Sequence, residues 1–103
     1  MMSVIYTTVP EKGTDRLSEA LLKKRLVACV VMLDAKSMYW WKGKIAKDEE
    51  KVLLFKTTEQ KAEKAIAEIR KLHPYGVPCI LKFSAECNPE YLRWLEEETK
   101  RFK

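Results

Sequence analysis

The sequence is poor in the residues that most often mark a reaction site. It has one histidine, His73, one asparagine, Asn88, one glutamine, Gln60, and three glycines among 103 residues. There is accordingly no glycine-rich loop to cradle a phosphate, no HExxH pair to hold zinc, and no serine or cysteine set with histidine in a nucleophile motif. We expect no enzyme. The three cysteines, Cys29, Cys79 and Cys87, are an odd number without close pairing, which argues against a disulfide framework or zinc ribbon and for reduced thiols. The longest apolar run, eight residues from Leu26 to Leu33, falls far short of the roughly 20 that a membrane-spanning helix needs. Nothing near Met1 has the charged start and hydrophobic region of a secretory leader, so the expected setting is cytoplasmic, with no membrane partner.

What is present suits one globular domain over residues 1–103. Hydrophobic residues make up 47% and charged residues 34%, enough apolar material for one core. Twenty Lys and Arg against fifteen Asp and Glu give a formal charge of +5, but the cations are scattered among acidic neighbours. A nucleic-acid surface gathers them on one face among aromatics, and none is expected here.

Val4 to Val9 is β-branched and aromatic and ends at Pro10 and Gly13, which predicts a strand. Thr14 or Asp15 can cap a helix to about Arg25. Leu26 to Leu33 is apolar at every position and predicts a strand covered on both faces at the centre of the sheet. After a turn at 34–36 comes a strand over Ser37 to Ile45, with Gly43 as a bulge or bend. After a polar turn at 47–50 comes another over Lys51 to Thr57. Thr57 and Gln60 form a capping box ahead of the apolar stripe Ala62, Ala65, Ile66, Ile69 and Leu72. Pro74 and Pro78 stop that helix and stiffen the loop His73 to Pro78. Cys79 to Ala85 predicts a strand, and Asn88 with Pro89 opens a helix to about Lys100, with Lys100 and Arg101 suited to its C-terminal dipole.

This order, βαβββαβα, describes an α+β ferredoxin-like sandwich with a mainly antiparallel sheet and its helices on one face. Such a sheet leaves its other face bare, and Met38, Tyr39, Trp40 and Trp41 add four large side chains in a row on a hairpin. Leaving even two such rings in water forgoes several kcal/mol at roughly 25 cal/mol per Å². Other copies of the chain are expected to cover them.

VIYTTVP at 4–10, RLVACV at 25–30, YWWKGKI at 39–45, KTT at 56–58, HPYGVP at 73–78 and YLRWLEEET at 91–99 together resemble the CutA, or divalent-cation tolerance, family. The resemblance implies a trimer with a long bent hairpin pairing across subunits, an architecture like that of PII signalling proteins, and a cytoplasmic protein without a known catalytic step. It also implies weak binding of copper or another divalent cation, linked to metal tolerance. Two positions depart from the family pattern: Cys79 stands where glutamate is common, and Val31 where many members have asparagine. Thiolate for carboxylate favours Cu(I) or Zn(II) over harder cations.

Candidate residues follow from both lines of reasoning. His73 is the only imidazole; it is either a metal ligand with Cys79, six residues on, or a loop residue locking the turn. Cys79 is alternatively a core thiol, and Cys29 a small buried hydrophobe. Cys87, beside the Asn88 cap, is the candidate reactive thiol. Tyr39, Trp41 and Tyr75 line a ligand cleft or cement an interface. Lys56 and Thr57 could hold an anion in that cleft by charge and free backbone donors. Two functions are open: a metal-binding trimer, and a PII-like sensor taking an anionic small molecule at inter-subunit clefts and signalling to an unidentified protein partner.

Scarce Asn and Gln beside abundant Lys and Glu is the composition of a heat-adapted protein. Scanning calorimetry is expected to give an unfolding midpoint above about 65 °C; a lower value removes that reading.

Overall fold

The computed structural model describes residues 1–100; Arg101, expected near the end of the last helix, lies outside them. The elements run β1 (Met2–Val9), α1 (Thr14–Lys23), β2 (Cys29–Trp41), β3 (Lys44–Thr58), α2 (Glu59–Leu72), β4 (Ile80–Ala85) and α3 (Pro89–Glu98). The fold is α+β, with one four-stranded antiparallel sheet ordered β2-β3-β1-β4.

Alternation along β1 and β3 sends Ile5, Val9, Leu53 and Phe55 to one face. There they meet Leu17 and Leu21 of α1 and Ala65 and Ile69 of α2 in the buried core. The opposite face carries Val4, Tyr6 and Leu54, in register with Leu81 and Phe83 of β4. Phe83 is 52% exposed. α3 lies at the far end of β3, where the Lys56 ammonium stands 5.5 Å from the Tyr91 ring centre.

The middle of the chain differs from the sequence expectation. The two turns expected at 34–36 and 47–50 are strand: β2 and β3 pair without interruption from Cys29↔Lys56 to Trp41↔Lys44. The polar residues read as turns face one another with opposite charge, Asp34 opposite Lys51 and Lys36 opposite Glu49, and cross-strand ion pairs stabilise a solvated ribbon. Three expected strands thus become two long ones. The reversal falls on Lys42 and Gly43, with φ of 51° and 78°, the two positive values of a type I′ hairpin turn. Gly43 is therefore the turn itself and not a bulge.

β2 lies at the sheet's edge rather than its centre, and Leu33 is 49% exposed. Its apolar run reads as doubly covered, but α1 and α2 pack on one face, and α3 reaches the other only at the strand's start, where Tyr91 meets Cys29 and Lys56. Residues 26–28 instead form the exit from α1, which closes as a Schellman motif: Leu26 N–H donates to the Leu21 carbonyl and Arg25 N–H to that of Leu22. Arg25 takes the left-handed φ of 59°, and its guanidinium donates to the Glu98 carbonyl and carboxylate at the end of α3.

The caps also shift by a residue. Gly13 is the N-cap of α1, while the Thr14 hydroxyl donates to the Pro10 carbonyl. Thr58, not Thr57, caps α2, accepting from Lys61 N–H at 3.3 Å.

Phe55 is fully buried at the centre of the core. Phe55→Ala is expected to cost about 3–5 kcal/mol, read as a lowered denaturant midpoint; a loss under 1 kcal/mol would place the core elsewhere.

Candidate functional site

Helix α2 ends at His73 because Pro74 forces the residue before it into extended geometry, seen as φ −68° and ψ 134°. That conformation turns the imidazole back against β1. Its Nε2–H donates to the Thr8 carbonyl at 2.9 Å and shares its proton with the Thr7 hydroxyl at 3.1 Å. The Thr7 hydroxyl donates in turn to the Cys79 carbonyl at 2.7 Å. On the other side Nδ1 accepts from the Tyr75 N–H at 3.1 Å. A carbonyl only accepts and an N–H only donates, so this bonding assigns the neutral Nε2–H tautomer.

His73 is 8% exposed. Burial holds its pKa below the ordinary value of 6.5, against smaller opposing effects from the Thr8 carbonyl and the Glu50 charge.

The loop so pinned forms one wall of a cleft of about 670 Å³, and the start of the β2–β3 ribbon's outer half forms the other. Tyr75 stands 5.0 Å from the His73 ring, and its hydroxyl donates to Glu50 Oε2 at 2.7 Å. Burial, with the bond to Glu50, pushes the Tyr75 phenol well above its ordinary range, so it remains a donor at any physiological pH. Tyr39 donates to Asp48, and that bond raises its pKa too.

Of the residues singled out in the sequence, Tyr39, Trp41, Tyr75 and Cys79 converge on this cleft. Cys79 is exposed there rather than buried in the core. His73 stands behind the cleft wall with both nitrogens engaged, so a metal at His73 would first have to displace one of its bonds. It meets Cys79 through Thr7 and the backbone, not as a pair of ligands. Among the described residues no group of three His, Cys, Asp or Glu could hold a metal ion, and the donor set of one chain does not fit a closed metal centre.

Lys56 and Thr57 do not line the cleft. Lys56 lies over Tyr91, and Thr57 is buried with its hydroxyl donating to the Leu26 carbonyl. An anion in the cleft would therefore lack the cation assigned to it. Cys29 and Cys87 are half-buried, and both act on Tyr91, whose pKa is raised by burial first and by Cys29 next.

The residue that sequence reasoning missed is Glu50. It sits in KDEEK, which reads as a solvated turn, and only the register of β3 brings it under Tyr75.

With this geometry in hand, the comparisons are specific. A family profile described as CutA1 divalent ion tolerance protein matches residues 3–98. The chain belongs to the CutA family. It is 40% identical over 102 residues to the divalent-cation tolerance protein CutA of Pyrococcus horikoshii, covering 97% of this chain and all of the relative. To the Thermotoga maritima CutA it is 43% identical over 98 residues, with 93% and 97% covered. The crystal structure of CutA1 from Pyrococcus horikoshii superposes with a TM-score of 0.92 at 39% identity, over 98% of this chain and 100% of that one. A Nostoc structure described as a PII-like protein CutA in apo form gives 0.91 at 27% identity, with 97% and 99% covered. The Pyrococcus horikoshii and Thermotoga maritima CutA proteins are named for tolerance, not for a reaction.

Because the chain has a single histidine, its pH behaviour can be read directly. The His73 ring resonance is expected to titrate below 6.5. A base with a depressed folded pKa adds no penalty above 6.5 and costs stability as pH falls from there towards the folded value, so the denaturant midpoint should drop between pH 7 and pH 5.5. Titration at or above 6.5 would mean the ring is not locked as described.

Proposed function

We propose that this CutA-family chain works as a cytoplasmic homotrimer in divalent-cation or copper tolerance, without catalysis, holding the cation weakly at a site shared between copies. One observation supports it above the others: the apolar surface that one chain leaves bare. Trp40 is 74% exposed and Met38 71%, on a ribbon whose far half touches no helix, beside an open sheet face bearing Leu81 and Phe83. Patches of this kind are surfaces for partners, and a closed ring of copies covers the face and the strand edges together. Three free thiols agree with a reducing compartment.

Within one chain the soft donors at the cleft are the Cys79 sulfur and the Met38 thioether, and a second copy is the natural source of further ligands. A second reading is also favoured by an observation. The cleft is aromatic and large enough for a metabolite, and the Nostoc relative is described as PII-like; on this reading the trimer is a sensor whose ligand state is read by another protein.

Light scattering at micromolar concentration is expected to give three times the 12.1 kDa chain mass; a monomer would overturn the assembly. Titration of the assembled protein with Cu and Zn should show weak binding that falls at least tenfold in Cys79→Ser, about 1.4 kcal/mol. His73 is best left intact in that experiment, since replacing it releases the loop. Unchanged affinity would remove Cys79 from the site.

A further inference from the structure

The side chains lining the cleft bring one formal charge, and it is negative. Tyr6, Tyr39, Trp41 and Tyr75 supply four aromatic rings and Glu50 a carboxylate, while no lysine or arginine among the described residues lines it. We propose that this cleft binds a small organic cation, an alkylammonium or similar group, between the aromatic faces and Glu50. The inference rests on the ligand-site reading of the cleft and names the chemistry of what enters.

Aromatic rings present negative faces that attract a cation within about 6 Å of the ring centre, most strongly for tryptophan. Trp41 already does so in this chain: the Lys42 ammonium stands 5.8 Å from its ring centre. Glu50 is held in the cleft wall by the Tyr75 hydroxyl, which stays protonated and leaves the carboxylate its charge. No ion pair to Glu50 forms among the described residues: Lys51, which with Lys36 and Glu50 lines a second pocket, is paired with Asp34 and Glu11. Asp48, held by Tyr39, adds a second negative charge close enough to act on Tyr75.

The competing ligands fit less well. An anion would meet a carboxylate and no cation. A hard divalent ion needs several converging oxygens, and Glu50 offers one carboxylate that already accepts from Tyr75. An organic cation needs neither, because its charge is spread over a surface that rings can contact. The cleft's volume of about 670 Å³ is that of a small-molecule site.

The test is isothermal titration of the assembled protein with tetramethylammonium chloride, with tert-butanol as a neutral group of similar size and sodium acetate as the anion, all at one ionic strength. Saturable binding is expected for tetramethylammonium alone, weakened about tenfold in Glu50→Gln, which keeps the wild-type assembly and unfolding midpoint, and about threefold or more in Trp41→Ala, compared as the trimer that light scattering selects. Equal binding of tert-butanol, binding of acetate, no binding at all, or unchanged affinity in both variants would each overturn the proposal. Light scattering on the same samples separates it from the assembly: a trimer that ignores tetramethylammonium sinks this inference alone, and a monomer that binds it sinks the trimer alone.

Discussion

One imidazole holds the cleft wall in place. His73 ties the end of α2 to β1 through the Thr8 carbonyl, fixes the next turn through the Tyr75 N–H, and reaches the Cys79 backbone by way of Thr7. Each of these backbone groups, left unpaired in a partly buried position, would cost about 1–3 kcal/mol. Pro74 and Pro78 reduce the other conformations open to the loop. The placement of Tyr75 over Glu50 is therefore inherited from a ring that does not line the cleft. This is why the histidine matters to the site without being free to hold a metal in the arrangement seen.

The sheet poses a different constraint. Helices α1 and α2 bury one face around Phe55 and Leu53, and the molecule extends to 47 Å along its longest axis. Its β2–β3 ribbon carries rings that no element of the same chain covers. A second copy laid along that ribbon would bury the rings and would also close over the neighbouring cleft. Excluding water there lowers the local dielectric, and every charge interaction inside it strengthens. Assembly and ligand binding, on the functions proposed, then share one cause: the same bare aromatic surface that calls for a neighbour forms the wall that a ligand meets.

Legibility in the sequence followed the range of each signal. β1, α2 and β4 were readable to within about two residues, because alternation, helical periodicity and proline breaks are local. The hairpin was not, since Asp34–Lys36 and Lys47–Glu50 have the composition of turns. They are strand because the two segments pair across the ribbon, Asp34 with Lys51 and Lys36 with Glu49 among the matches, a fact about pairing rather than about either segment. The run from Leu26 to Leu33 shows the converse. Its hydrophobicity was legible, but its place at the sheet's edge depends on the pairing of all four strands. The aromatic members of the cleft could be named from their bulk. Glu50 could not, and Lys56, at the end of its strand as expected, does not reach a cleft that lies further back along β3: register sets which side chains share a neighbourhood.

The charge of the cleft bears on how the family's link to cations applies to this chain. By the chain's resemblance to CutA proteins, glutamate is the expected residue at position 79, and the cleft has the Cys79 thiol there instead. One carboxylate among four rings can balance one positive charge. A divalent ion there would leave half its charge uncompensated against aromatic walls, and the cost of that imbalance rises as water is excluded. A singly charged organic group leaves none, and it gains the faces of Trp41 and Tyr75 besides. Glu50 and the Cys79 sulfur are too few to close a shell around a divalent ion, so such an ion in this protein needs further ligands, which a neighbouring copy can supply.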